Sequence, residues 1–420
     1  LAVERASLMF RKLVTFEEAK KIINENFNTL PIEDEDVALL EAYNRVLKED
    51  LVSSLDVPSF DRSTVDGYAV KAEDTFEADE NHPVSLNISG VIFAGEQPNL
   101  LLEKGDAVEI VTGAPLPEGA NAVIMVEDVE RLNNQLQVYT AVNPFMNVMK
   151  KGSDIKAGKI ILHTGQVLGP SEIGALAALG LTKIRCFKPP IVAVLSIGNE
   201  IVNLGKTLPA GKIFDINSYS LSTAVIECGA KPVFFGVIPD DKDAIRKTLT
   251  TALASADIII TSGGVSIGPH DYTSAIVDSL GKPGVVISGI AVKPGKPTTI
   301  AFVQNKPIFS LPGNPAAALL MFYLLARPII QRLCCRATSD MRSIRAFADT
   351  KLFSAKGRRT FALVHLVLDI EKCRLIAKPL TGASGAITSL TEADGFVEIP
   401  ENQQYINKDE EILVKLFRPV

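Results

Sequence analysis

Four short segments carry most of the side chains capable of chemistry, and each follows a run of apolar residues. They are Ser196-Ile197-Gly198-Asn199-Glu200, Pro239-Asp240-Asp241, Thr261-Ser262-Gly263-Gly264-Val265-Ser266-Ile267-Gly268-Pro269-His270-Asp271 and Leu311-Pro312-Gly313-Asn314-Pro315. In an open α/β sheet, ligands bind outside the carboxyl ends of the strands. Glu200, Asp240 and Asp271 would therefore share one sheet edge. Carboxylates gathered there repel one another unless a cation joins them. Mg2+ suits that role, because it takes oxygen ligands and shares them with substrate phosphates. Gly263 and Gly264 let main-chain N–H groups approach a ligand, and a following helix N-terminus favours an anion. The segment is neither a Walker A loop nor a GxGxxG fingerprint.

A cationic element matches them. Ala291-Val292-Lys293-Pro294-Gly295-Lys296-Pro297 is stiffened by two prolines, so Lys293 and Lys296 hold their ammonium groups at low entropic cost. Phosphate or another oxyanion is the matching ligand. Taken singly, each feature has a plainer reading: a strand–helix turn for Gly263-Gly264, an N-cap for Asp271, solvated carboxylates for Glu200 and Asp240, a surface turn for the lysines. Their shared placement favours a site. Two further polar segments lie far away in sequence, Phe60-Asp61-Arg62-Ser63-Thr64-Val65-Asp66-Gly67-Tyr68-Ala69-Val70 and Val111-Thr112-Gly113-Ala114-Pro115-Leu116-Pro117-Glu118-Gly119. No local turn chemistry demands Asp66 or Thr112. Ser-His-Asp, HExxH and nucleophile-elbow patterns are absent from the sequence.

The elements that must position these groups change character along the chain. Phe16–Phe27 has helical apolar spacing, with Thr15 as cap and Glu17-Glu18 at the favourable dipole end. A second helix is expected over about Val37–Val46, after a solvated acidic run at Glu33–Asp36. From Leu51 to Ile161 short alternating segments predict a β-rich module: strands over Val84–Ile92, Ala107–Val111, Ala122–Val126 and Gln135–Ala141, with a turn at Asn133-Asn134. Pro170–Leu179 reads as helix, with Ser171 as cap. Pro189-Pro190 then marks a boundary. Beyond it, Ile191–Ile197, Lys231–Ile238, Asp257–Thr261 and Pro307–Leu311 read as strands. They alternate with helices over Ser218–Cys228, Asp241–Ser255, a stretch from about Asp271, and the run Ala316–Ala326. Continuous apolar strands alternating with amphipathic helices predict a parallel sheet covered on both faces. Residues 336–420 are strand-like again (Arg345–Phe353, Thr360–Leu368, Arg374–Pro379, Gly395–Ile399, Glu411–Leu416) and predict a small barrel.

Length and composition agree. At 420 residues the chain exceeds one ordinary core. Its 47% apolar and 22% charged content excludes a disordered, collagen-like or coiled-coil chain. A net charge of −6 argues against a general nucleic-acid binder. The basic stretch 336–360 is read as lysine and arginine guarding exposed strand edges. Five cysteines without a CxxC, and four scattered histidines, suggest a reducing cytoplasm and neither a disulfide frame nor a zinc site. The eleven-residue run Ala316–Ala326 is too short to span a bilayer and is read as a buried helix, so no membrane role is expected.

Together the segments resemble the molybdopterin molybdenumtransferase (MoeA-type) family, related to the C-terminal domain of gephyrin and to the plant Cnx proteins. The matching motifs are Asp61-Arg62-Ser63-Thr64-Val65-Asp66-Gly67-Tyr68-Ala69, Thr112-Gly113-Ala114-Pro115, Gly152-Ser153-Asp154-Ile155, Gly198-Asn199-Glu200, Thr261-Ser262-Gly263-Gly264-Val265-Ser266, Lys293-Pro294-Gly295-Lys296-Pro297 and Leu311-Pro312-Gly313-Asn314-Pro315, in family order. The resemblance implies a multidomain α/β and β chain. Residues 12–52 and 153–187 would form a discontinuous linker domain, 53–152 an inserted β-rich domain, 188–335 a molybdopterin-binding three-layer α/β domain, and 336–420 a C-terminal β-barrel. It also implies an elongated homodimer whose cleft is shared between subunits.

The implied reaction inserts molybdate into adenylylated molybdopterin with Mg2+ and releases AMP. A molybdopterin adenylyltransferase would be the pathway partner. Glu200, Asp240 and Asp271 would hold Mg2+, and Lys293 and Lys296 would attract the oxyanions. Ser262, Gly263, Gly264, Val265, Ser266, Pro312, Gly313, Asn314 and Ser384 would cradle the cofactor, and Asp66 and Thr112 would complete the cleft. Asn199, Gly289, Ala317 and Leu363 depart from the family's usual aspartate, lysine, serine and arginine, with Arg358 and Arg359 near the last. The remaining alternatives are a tungstate-using or inactive paralogue acting as a dimeric scaffold, and a molybdopterin adenylyltransferase.

Overall fold

The computed structural model describes residues 13–27, 32–264, 272–337, 341–380 and 388–417. They divide into two compact units. One holds the described residues up to Glu35, Asn44–Val46 and the chain from Phe187 onward; the other holds Asp36–Tyr43 and Leu47–Cys186.

The first helix, α1 (Phe16–Asn26), forms where its apolar spacing places it. Thr15 Oγ1 accepts from Glu18 N at 3.2 Å, and Glu18 Oε2 accepts from Thr15 N at 2.8 Å. This reciprocal capping box is worth about 1 kcal/mol. The sequence grouped α1 with the linker. Instead, its buried face (Phe16, Ala19, Ile23, Phe27) joins the large core cluster beneath the α/β sheet.

The expected helix at 37–46 does not form. The chain makes a strand at Asp34–Ala38 and a single 3-10 turn at Leu39–Ala42. Leu40 and Tyr43 are 86% and 61% exposed, so the apolar residues there never share one helical face, and Asn44 turns the chain at φ 63°.

The second unit carries a six-stranded sheet, built from β1 (Gly67–Val70), β2 (Val84–Ile92), β3 (Asp106–Ile110), β4 (Ala122–Met125), β5 (Val129–Leu132) and β6 (Gln135–Val138). Its order is β4–β1–β3–β2–β6–β5, with β2 and β3 parallel and the other pairs antiparallel. Asn133, at φ 56°, makes the β5–β6 turn. Val37, Ala42 and Leu47 share a separate core with Leu162, Leu168, Leu176, Ile184 and Cys186. Helix α2 (Pro170–Ala178) is capped by Gly169, with Pro170 leading the helix, so Ser171 lies inside it. Glu172 Oε2 accepts from Gly169 N at 2.9 Å and supplies the capping bond.

In the first unit the α/β layer runs β7 (Ile191–Ile197), α3 (Asn217–Glu227), β8 (Lys231–Ile238), α4 (Lys242–Ser255), β9 (Ile258–Gly263), α5 (Tyr272–Leu280), β10 (Pro283–Ser288), β11 (Val292–Lys293), β12 (Thr299–Val303), β13 (Lys306–Leu311), α6 (Pro315–Met321) and α7 (Arg327–Leu333). The sheet order is β8–β7–β9–β13–β12–β10. The first four strands are parallel, as expected. The last two are antiparallel, because Gln304 and Asn305 (φ 54° and 64°) close a tight hairpin between β12 and β13. Alternate residues bury on opposite faces. Val192, Val194, Ile258 and Ile260 pack with α3 and α6, whereas Ala193, Leu195, Ile197 and Ile259 pack with α4 and α5. A π-helical turn at Phe322–Ala326 joins α6 to α7, just before Pro328, which has no N–H to donate. This apolar span, Pro315–Leu333, is 72% buried over its most apolar window, as a core helix is.

The C-terminal region closes into a five-stranded barrel, β14 (Ser343–Ala348), β15 (Arg359–Asp369), β16 (Arg374–Pro379), β17 (Gly395–Ile399) and β18 (Glu411–Leu416). The order is β15–β16–β14–β18–β17, and β17 returns to β15. β16 and β14 are parallel, and alternate inward residues such as Val364, Ala377, Val397 and Val414 fill the interior.

Candidate functional site

The carboxyl ends of β7, β8, β9 and β13 hold a polar cluster built by backbone geometry. Gly198 N donates to Ile238 O at 3.1 Å, which brings the first two strand-end loops side by side. Asn199 Oδ1 then accepts from Asp240 N at 3.1 Å. Asn199, where the family usually has aspartate, thus keeps an acceptor that ties Asp240 to the Glu200 loop. The Glu200 carboxylate lies back over Gly198, where a Cβ would stand 2.7 Å from Oε2. Glu200 and Asp240 are exposed, and neither forms an ion pair among the described residues. A cavity of about 260 Å³ opens beside them, lined by Gly198, Asn199, Asn203, Lys206, Val237 and Pro239 among others.

The third loop is forced by its glycines. Gly263 sits at φ 79°, and a Cβ there would stand 2.2 Å from Ile197 O. At Gly264 (φ 68°) a Cβ would meet Thr273 Oγ1 at 2.8 Å and Ile197 Cγ2 at 2.9 Å. Thr273 Oγ1 donates to Gly264 O at 3.0 Å. Val265, Ser266 and Asp271 lie outside the described residues, as does Ser384. Among the described residues, no group of three or more His, Cys, Asp or Glu side chains stands ready to hold a metal. Glu200 and Asp240 would supply two oxygen ligands, and the third residue the sequence suggests, Asp271, is among the residues not described. Two exposed carboxylates without cationic partners among the described residues match the hard-oxygen preference of Mg2+.

The structure also assembles residues that sequence reading passed over. Asn217 Nδ2 donates to Ser262 Oγ at 2.7 Å and to Gly313 O at 2.8 Å, and Ser262 Oγ donates to Pro312 O at 3.1 Å. Ser262 is 1% exposed, so its hydroxyl is spent locking the third and fourth loops together. Asp215, 3% exposed, accepts through Oδ1 from Ser196 Oγ at 2.7 Å and from Ser218 N at 3.1 Å. Its Oδ2 and Asn217 Oδ1 are buried acceptors without a donor among the described residues. The signal was a polar Asp-x-Asn at the head of a helix otherwise facing the core. Asn314 occupies the N-cap position of α6, and Pro315 follows as the first helical residue.

Lys293 and Lys296 belong to a folded-back turn. Ile290 N donates to Lys296 O at 3.0 Å and Thr298 Oγ1 to Gly295 O at 2.7 Å. Gly295 packs on α6, where a Cβ would stand 2.6 Å from Met321 Sδ. Met321 is seven residues beyond Asn314, about 10 Å along the helix axis. Neither lysine pairs with a carboxylate among the described residues. Gly289, at φ 87° with Leu13 Cδ2 2.7 Å from its missing Cβ, could take a lysine only under strain. Ala317 is buried in α6, and Leu363 packs against the large core. Arg359 is engaged by Glu17, Glu398 and Glu401, so it is not free to replace an arginine at 363.

In the other unit Asp66 and Thr112 form one group. Thr112 N and Oγ1 both donate to Asp66 Oδ1, at 2.6 and 2.8 Å. The Thr112 N–H first, and its hydroxyl second, hold the exposed Asp66 carboxyl below the usual aspartate range. Gly67 is obligatory, since a Cβ would stand 1.8 Å from Ile124 O. Gly113 N donates to Ser63 O at 2.9 Å and Gly152 N to Pro58 O at 2.9 Å, so three separated motifs converge on one loop cluster.

Comparison with known proteins agrees along the whole length. Residues 14–180 match the MoeA N-terminal region (domain I and II), 193–332 the "Probable molybdopterin binding domain", and 345–417 the MoeA C-terminal region (domain IV). A molybdopterin molybdenumtransferase of Nostoc is 34% identical, over 92% of this chain and 91% of that protein. One from Haemophilus influenzae is 36% identical, over 76% and 78%. The crystal structure of a molybdopterin biosynthesis MoeA protein from Pyrococcus horikosii superposes with a TM-score of 0.80 at 41% identity, covering 97% of this chain and all of that one. With the three family regions matched in order and similarity over nearly the whole chain, the chain belongs to the molybdopterin molybdenumtransferase (MoeA) family.

Proposed function

We propose that this protein inserts molybdate into adenylylated molybdopterin, releasing AMP, in a Mg2+-dependent step of molybdenum cofactor biosynthesis. The observation that carries the reading is the edge itself: two carboxylates with no ion-pair partner among the described residues, beside a glycine-forced loop that only a left-handed backbone can make. Glu200 and Asp240, with Asp271, would hold Mg2+; the ion would neutralise charge developing as the phosphoanhydride breaks. The N–H groups of the Gly263-Gly264 turn meet phosphate or pterin oxygens. Lys293 and Lys296 attract the oxyanion. An adenylyltransferase reading is disfavoured, because that enzyme resembles the α/β domain alone and the matches at 14–180 and 345–417 lie outside it. Such an enzyme would supply the adenylylated substrate. A reducing cytoplasm suits the free thiols Cys228, Cys334 and Cys373.

The test is AMP release from adenylylated molybdopterin with Mg2+, titrating molybdate and tungstate separately. Saturable release that depends on molybdate is expected and vanishes with a chelator. Dependence on tungstate alone would name a different oxyanion, and no release with either would point to a scaffold.

The Asp66–Thr112 pair is proposed to act from the second chain of a homodimer, a reading supported by family resemblance. Asp66→Ala and Glu200→Ala, each inactive, then regain up to about a quarter of full activity as a 1:1 mixture after subunit exchange, because about half the dimers are heterodimers and each of those has one of its two sites intact. Absence of rescue after verified subunit exchange rejects the shared site.

A further inference from the structure

The strand that carries Lys293 is held by the barrel as well as by the α/β layer. β11 pairs in parallel with the start of β15, Val292 opposite Arg359 and Lys293 opposite Thr360. Arg359 N donates to Ala291 O at 3.0 Å, and Ala291 N donates to Val14 O at 2.8 Å. The lysine segment is thus threaded between the lead-in to α1 and the edge of the barrel.

The Arg359 side chain gathers the surrounding pieces. It is 12% exposed. Nη1 meets Glu17 of α1, and Glu398 Oε1 of β17 at 2.9 Å; Nε meets Glu401 Oε2 at 3.0 Å. Glu398 also accepts from Lys415 Nζ at 2.6 Å. The guanidinium carbon lies 5.3 Å from the Phe16 ring centroid, and that ring meets Phe361 edge-on at 5.3 Å. A planar guanidinium presents its donors to three carboxylates in a rigid, pre-organised fork, whereas a lysine ammonium is a point charge on a flexible stem. Without the cation, Glu17, Glu398 and Glu401 would repel one another across the place where α1, β11 and the barrel meet.

We propose that Arg359 is a positioning residue for the oxyanion-binding lysines: by clamping α1 and the barrel around β11, it holds Lys293 and Lys296 in register. Its own charge is consumed by the three carboxylates, so it does not bind the oxyanion. The consequence for activity rests on the reading of the lysines given above; the clamp itself does not.

Two readouts separate these. Amide hydrogen exchange over residues 289–298 reports the clamp, and molybdate titration of AMP release reports its consequence. In Arg359→Gln, exchange over 289–298 should rise at least tenfold. The molybdate concentration for half-maximal release should rise at least tenfold, while kcat at saturating molybdate and KM for the adenylylated pterin change less than threefold. Arg359→Lys, which keeps the charge and loses the fork, should fall between. Val414→Ala, which opens a cavity in the barrel interior without removing any charged group of the clamp, should spread its exchange increase over the barrel strands and leave the molybdate titration unchanged. Should Arg359→Gln fail to fold, Glu401→Gln removes one arm of the clamp and is expected to shift both readouts in the same direction, less far. Unchanged exchange in Arg359→Gln, or an equal molybdate shift in Val414→Ala, overturns the proposal. If the wild-type protein shows no molybdate-dependent release, the reading of the lysines fails while the exchange result still decides whether Arg359 fixes β11.

Discussion

Gly263→Ala is expected to lower turnover by at least a hundredfold while the protein still folds. The added methyl would stand 2.2 Å from Ile197 O, and the residue sits at φ 79°. Both partners are backbone at the ends of neighbouring central strands, Ile197 being paired with Gly263, so no flexible side chain can yield. The left-handed conformation alone costs an L-residue about 1–2 kcal/mol. Relief of the contact requires β7 and β9 to part at their carboxyl ends by roughly 1 Å, a displacement that can cost about a hundredfold in rate when it misplaces reacting groups. Gly313 is the contrast. Its missing Cβ meets nothing nearer than Gly263 Cα at 3.7 Å, so Gly313→Ala should leave melting temperature and circular dichroism unchanged. The check is steady-state AMP release beside thermal melts of both variants. Wild-type turnover in Gly263→Ala would remove the glycine turn from the site.

Lys296→Ala should raise the molybdate concentration for half-maximal AMP release by between ten- and about a hundredfold, with the fold intact. The side chain is half-buried and has no carboxylate to neutralise it among the described residues. The turn that carries it is held by Thr298 Oγ1 on Gly295 O and by Ile290 N on Lys296 O, so little side-chain or loop entropy remains to be lost when an anion binds. A charge-assisted hydrogen bond contributes about 1.5–3 kcal/mol, which corresponds to the stated range. The effect should shrink as ionic strength rises, because part of the attraction acts through solvent. Affinity for the adenylylated pterin should change less than threefold. A molybdate titration superimposable on that of the wild type would reject the assignment.

The parts of this protein legible in the sequence share one property: their causes are local. The Thr15–Glu18 cap needs four consecutive residues, and the strands Lys231–Ile238, Arg374–Pro379, Gly395–Ile399 and Glu411–Leu416 are apolar patterns bounded by turn residues. The strand-end carboxylates and the paired glycines were visible for the same reason, since a strand followed by such a loop already places them at a sheet edge. The helix expected at 37–46 failed where local spacing was ambiguous and burial decided: Leu40 and Tyr43 face solvent, so no stripe formed.

What the tertiary structure alone decided depends on residues distant in the chain. Ser262 looked like a ligand group until Asn217, 45 positions earlier, was found to occupy its hydroxyl. Arg359 lies in sequence near the position of the departed arginine, but Glu17, 342 positions away, is among the partners that occupy it. α1 looked like part of a linker until its buried face met the core beneath the α/β sheet. Residue types and spacing therefore determined which chemistry this chain carries and on which loops. Which polar groups remain available for that chemistry was set by long-range packing, because a hydrogen bond or ion pair formed inside the fold removes a side chain from the site however suitable its type.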